Sequence, residues 1–139
     1  MTNYFEIVFK EAKKAYKKGE VPVGAVIVKN NKIIAKSHNN RQQKHNVFGH
    51  AEINCILKAS KKTRDWRLNG CDLYVSLEPC EICKNIITES RINNVYFLLE
   101  RDFQQKNFYK TCITQTNDCK NIKKEYINLI KTFFNKLRK

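Results

Sequence analysis

Asp72-Leu73-Tyr74-Val75-Ser76-Leu77-Glu78-Pro79-Cys80-Glu81-Ile82-Cys83 passes from strand to helix within a dozen residues. Asp72 to Leu77 reads as a strand and Glu81 to Ser90 as a short helix, with Pro79 fixing the turn between them. A Cys-x-x-Cys on the first turn of that helix brings Cys80 and Cys83 to one side, within reach of a single ligand. Downstream, Asn94 to Leu99 is a further strand. Upstream, His50 to Lys61 is helical, and Val23 to Lys29 and Lys32 to Ser37 read as a hairpin. Asn30-Asn31 between those two tolerates the positive φ of a tight turn. Residues 2–18 place Tyr4, Phe5, Val8, Ala12, Ala15 and Tyr16 on one helical face, and Gly19 supplies a C-terminal stop. The stretch from Glu100 to Asp118 is polar and aromatic without a period and reads as irregular. Beyond it Ile122, Tyr126, Leu129, Ile130, Phe133 and Leu137 recover helical spacing. The order predicts an α/β fold with three layers, helices on both sides of a central mixed sheet.

Composition narrows the setting. A chain of 139 residues has the size of one domain, expected here over 1–139, and 42% apolar and 29% charged residues are ordinary for a globular protein. No window approaches the ~20 apolar residues of a membrane span, and Met1 to Phe9 carries no export pattern, so a cytoplasmic protein with no membrane partner is expected. The net charge of +14 favours polyanionic partners, although 21 of the 27 cationic residues are lysines, which a bias toward AT-rich codons would also produce. The C-terminal helix, about 120–137, is the most basic segment. Its Lys120, Lys123, Lys124, Lys131 and Lys136 are expected to stay solvated and available to phosphates. Six cysteines in a chain without an export signal do not read as a disulfide framework.

The chemistry lies in His50-Ala51-Glu52 and, 26 residues later, Pro79-Cys80-Glu81-Ile82-Cys83, which together spell H-x-E…P-C-x-x-C. One imidazole and two thiolates make a three-ligand zinc site with the fourth position open for water, whereas a structural zinc site closes with a fourth protein ligand. Both halves lie at helix starts, whose positive ends help hold cysteines as thiolates. Glu52 stands beside the metal position without having to ligate it and is placed to move protons. A redox Cys-x-x-Cys would leave His50 and Glu52 unexplained.

This signature resembles that of the zinc-dependent cytidine and deoxycytidylate deaminase superfamily. Further stretches are similar to the bacterial tRNA-specific adenosine deaminase (TadA type) family: Glu20-Val21-Pro22-Val23-Gly24-Ala25-Val26, His50-Ala51-Glu52-Ile53, Leu73 to Cys80, and Ser90-Arg91-Ile92. The resemblance runs from about Tyr4 to Leu99. It implies the three-layer α/β/α cytidine-deaminase-like fold, one Zn2+ per subunit on His50, Cys80 and Cys83, Glu52 as the catalytic proton shuttle, and Asn39 as the residue that binds the target base, with Asn40 its rival. It also implies a homodimer and, as partner, a tRNA anticodon stem-loop whose wobble adenosine becomes inosine, in an arginine tRNA.

Two stretches depart from the family pattern. Asn46-Val47-Phe48-Gly49 replaces an Asp-Pro-Thr-Ala before the zinc histidine, and Glu100 to Lys110 replaces a segment rich in glycine and small residues. Two other functions therefore stay open at the level of sequence. A free-base, nucleoside or nucleotide deaminase acting on guanine, cytosine or deoxycytidylate would share the zinc machinery. A non-catalytic zinc-stapled RNA-binding subunit would share the ligands but have no use for Glu52.

Overall fold

The computed structural model describes residues 3–101, 112–115 and 119–137. The first helix, α1 (Tyr4–Lys17), is capped at its start by the Asn3 side chain, which accepts from Phe5 N–H. It ends as Gly19 predicts. With Gly19 at φ +78°, Gly19 N–H donates to Tyr16 O (3.1 Å) and Glu20 N–H to Ala15 O (3.0 Å), the paired bonds of a Schellman stop. Then come β1 (Gly24–Lys29) and β2 (Lys32–His38), joined by Asn30 and Asn31 at φ 51° and 62°, as a two-residue turn between twisted strands requires.

The remaining elements are α2 (Arg41–Lys44), α3 (Ala51–Thr63), β3 (Cys71–Leu77), α4 (Glu81–Glu89), β4 (Asn94–Leu99), β5 (Cys112–Gln115) and α5 (Lys120–Leu137). The sheet order is β2-β1-β3-β4-β5, with β1 antiparallel to both its neighbours and β3, β4 and β5 parallel. The sheet is therefore mixed, as expected.

The alternation along β1 sets the layers. Ala25 and Ile27 pack with Ile53, Cys55 and Ile56 of α3 and with Ile87 of α4. Val26 and Val28 face the opposite way, onto Phe5 and Val8 of α1, with Ile122 of α5 at the margin. Such a strand, buried on both faces, reads as a continuous apolar run. The close fit of α1 on β1 depends on Gly24, where a Cβ would lie 2.2 Å from Val8 O. Cys55, Cys71, Cys80, Cys83 and Cys119 are free thiols, so no disulfide framework is present among them.

Two elements were not legible beforehand. The four-residue α2 lies in a stretch without apolar period, and β5 occupies part of the segment read as irregular. The rest of that segment, 102–111 and 116–118, falls outside the described residues. The C-terminal helix packs where its period places it, with Tyr126 and Phe133 buried, while Lys120, Lys124, Lys131 and Lys136 are exposed and Lys123 is half-buried.

Candidate active site

Two helix starts meet at the C-terminal ends of β2 and β3. His50 is the capping residue of α3 and Cys80 that of α4, both with extended backbone, and Cys83 lies in the first turn of α4. The Sγ atoms of Cys80 and Cys83 are 3.8 and 3.5 Å from His50 Nδ1, and the three donor atoms lie within 4.8 Å of one another. Zinc bonds of about 2.3 Å to sulfur and about 2.0 Å to nitrogen, opened to the tetrahedral angle, separate the two donor types by about 3.6 Å. The trio has the spacing that zinc needs, with two soft sulfurs and one imidazole as donors.

The charges agree with the geometry. A hydrogen bond from the Cys83 thiol, and another with His50, hold the Cys80 thiol far below the usual range. Cys83, donating to Cys80 and buried, is pushed up. Glu52, 2% exposed in the first turn of α3, has its carboxyl raised chiefly by burial, so it readily holds a proton at this site.

These groups line one cavity of about 570 Å³, of a size to take a nucleoside. His50, Glu52, Cys80 and Asn39 are part of its polar lining. Val21, Val23, Leu77 and Leu99 give apolar walls, Ile130 and Phe134 of α5 add to them, and Arg41, Glu100 and Arg101 complete the lining.

Asn39 and Asn40 separate cleanly. Asn39 is buried in the cavity lining, and its Oδ1 accepts from Ala51 N–H (2.7 Å), which fixes the side chain against the start of α3 and leaves its amide NH2 as a donor. Asn40 instead accepts from Asn54 Nδ2 (2.9 Å) and packs under Gly49. Of the two, Asn39 is the one that lines the cavity.

Sequence reasoning missed the contributions of Arg41, Arg101, Ile130 and Phe134. Phe134 lies beside the apolar stripe of α5 rather than in it, and is 42% exposed. A stripe wider than packing requires was the available signal. Tyr126, fully buried, donates its hydroxyl to Pro22 O (2.8 Å) and so ties α5 to the Val21–Val23 wall.

The family model described as the cytidine and deoxycytidylate deaminase zinc-binding region matches residues 1–99. The chain belongs to this deaminase family. Within it, the tRNA-specific adenosine deaminase of Bacillus subtilis (strain 168) is 48% identical over 94 residues, 68% of this chain and 58% of that protein. That of Buchnera aphidicola subsp. Baizongia pistaciae (strain Bp) is 38% identical over 133 residues, 87% of this chain and 80% of that one. A structure solved in a study of A-to-I editing by tRNA:A34 deaminases at the wobble position superposes with a TM-score of 0.75 at 31% identity, over 81% of this chain and 96% of its own. The deaminase fold implied by the sequence resemblance is the one observed. The chain spans about three-fifths of the length of the Bacillus relative and of its counterpart from Aquifex aeolicus (strain VF5).

Proposed function

We propose that this deaminase, with 1–139 acting as a single domain, converts adenosine to inosine at the wobble position of a tRNA anticodon, in an arginine tRNA, with one zinc ion per chain on His50, Cys80 and Cys83. The observation that carries the reading is the shared cavity. A buried carboxyl, a fixed amide donor and two members of the zinc-spaced trio, His50 and Cys80, face one space of nucleoside size, with Cys83 buried behind them. The relatives named as tRNA-specific adenosine deaminases support the choice of substrate.

Zinc at such a site supplies a Lewis acid that makes water nucleophilic near neutral pH. The chain's own residues do the rest. Asn39 donates to the base and turns C6 toward the donor trio. Glu52 takes a proton from the attacking water and returns protons to the ring nitrogen and to the departing amine, so that adenosine and water leave as inosine and ammonia. Val21, Val23, Ile130 and Phe134 exclude bulk water from the base. An anticodon adenosine reaches this space only when splayed from its loop, which is cheapest for an unpaired base.

The exposed lysines of α5 offer contacts to RNA phosphates. Leu57 of α3 and Ile82 of α4, 56% and 51% exposed, give apolar surface for the second copy of a homodimer. No described helix is long and apolar enough to cross a membrane, in keeping with a cytoplasmic site of action.

The test is incubation of the zinc-loaded protein with an anticodon stem-loop bearing adenosine at the wobble position, read by sequencing for inosine. Guanine, cytosine and deoxycytidylate run in parallel. Turnover of one of these with none of the stem-loop would refute the reading.

A further inference from the structure

Two arginines on the cavity lining stand on backbone that is fixed by carboxylates taking no part in the proposed chemistry. Arg101 follows β4 and is clamped to Glu78, the residue before Pro79. Its backbone N–H donates to Glu78 Oε1 (3.1 Å), and its Nε donates to the Glu78 carbonyl (2.6 Å). Glu78 N–H in turn donates to Leu99 O (2.8 Å), which knits the two strand ends together. The other carboxylate oxygen of Glu78 takes the Lys84 ammonium at 3.3 Å. The carboxylate is therefore spent on an amide and on Lys84, while the guanidinium is held through a neutral carbonyl. Among the described residues Arg101 forms no ion pair. A guanidinium anchored through Nε keeps its planar pair of Nη donors for a ligand, in the geometry that matches phosphate oxygens.

Arg41 is placed by a similar device. It opens α2, which at four residues is too short to hold itself. Glu20, 1% exposed, accepts the amides of Gln42 (3.0 Å) and Gln43 (2.8 Å) on its two oxygens. From the other side Gly49 lets the backbones approach, since a Cβ there would lie 2.6 Å from Arg41 N. The Arg41 side chain is exposed and reaches the cavity lining. The acidic groups sharing this lining are Glu52 and Glu100. Neither forms an ion pair with these arginines among the described residues, although the Arg101 charge pulls the Glu52 carboxyl down somewhat against its burial.

We propose that Arg101, together with Arg41, grips the phosphates that flank the target nucleotide, so that the site selects adenosine inside a phosphodiester chain over the free nucleoside. This rests on the RNA reading given above. The adenine itself is neutral, and what a polynucleotide adds around it is the pair of flanking phosphates, which the anchored Arg101 fork and the exposed Arg41 beside it would match. The Glu78 contacts then act as a positioning device that holds the Arg101 fork ready at little entropic cost, and the Glu20 contacts fix the backbone from which Arg41 extends.

The experiment uses zinc-loaded protein and anticodon stem-loops in which the phosphate on either side of the target adenosine is replaced by a neutral methylphosphonate. Binding is measured by fluorescence anisotropy at several salt concentrations. At least one neutral linkage should weaken binding by wild type about tenfold or more, the cost of losing a hydrogen bond between charged groups. In Arg101→Gln or Arg41→Gln the same linkage should cost less than about twofold, because its partner is already gone. Each variant should flatten the slope of log K against log salt by about 0.7, and its loss should fall in KM. Equal binding of neutral and native linkages by wild type would overturn the proposal, as would an undiminished penalty in both variants. The wild-type arm needs no variant to fold, and Arg41 is a surface side chain. Wild type that deaminates the stem-loop but ignores the neutral linkages refutes this inference alone. Wild type that neither binds nor deaminates it refutes the RNA reading as well.

Discussion

Replacing Tyr126 by phenylalanine removes one hydroxyl from a side chain that is wholly buried, leaving the ring and its packing in place. The hydroxyl donates to Pro22 O at 2.8 Å. Phenylalanine would leave the Pro22 carbonyl buried without a donor, which costs about 1–3 kcal/mol. Unfolding a chain of 139 residues carries roughly 0.3 kcal/mol/K of entropy near the midpoint, so the expected drop in Tm is about 3–10 °C. The loss should not stay confined to stability. Pro22 lies between Val21 and Val23, and α5 brings Ile130 and Phe134 to the same cavity. Loosening the tie should therefore raise KM for the stem-loop at temperatures well below the new midpoint. Thermal unfolding of zinc-loaded protein, with steady-state kinetics at 20 °C, measures both. A Tm within 1 °C of wild type would refute the account of this hydrogen bond. A lowered Tm with unchanged KM would show that α5 packs on the wall without shaping it.

Three further expectations follow from the site and its surroundings. Glu52→Gln keeps the shape of the side chain but cannot relay a proton, so kcat should fall about 10²- to 10⁴-fold with zinc content unchanged; single-turnover inosine formation within tenfold of wild type would assign the proton transfer elsewhere. Cys80→Ser or Cys83→Ser should lose most of the one zinc expected per chain by elemental analysis, and full retention would point to other ligands. Glu11, 4% exposed, is pushed up by burial but pulled further down by hydrogen bonds from Lys14 and His38, leaving its carboxyl below the usual range. Its contribution is present above the unfolded pKa near 4.5 and is lost as pH falls through the lower folded value. Glu11→Gln should thus be less stable than wild type in urea at pH 7, with the gap narrowing as the pH falls below 4.5; a gap of constant size would contradict the sign.

Local chemistry made much of this molecule legible. Asn30-Asn31, Gly19 and the Pro79-Cys80 junction each need only their own backbone preferences, and each appears where the sequence puts it. The apolar run of β1 and the period of α5 announce burial without naming what covers them. What escaped was settled between segments far apart. The α2 turn exists because Glu20, some twenty residues earlier, accepts two of the amides at its start. The four residues of β5 pair in parallel with β4, a partner that no local pattern announces. The choice between Asn39 and Asn40 hung on Asn54, which binds one and leaves the other at the cavity. Arg101 reads as one more cation in a basic chain until Glu78 fixes where it points.

The place of α5 in the cavity wall has a consequence for how the protein is made. Synthesis runs from the N-terminus, and the donor trio and Glu52 are all encoded before residue 84. Ile130 and Phe134 come some fifty residues later. On the ribosome the nascent chain therefore has its metal donors well before the cavity has its last wall. On the function proposed above, metal capture need not wait for the wall that encloses the substrate.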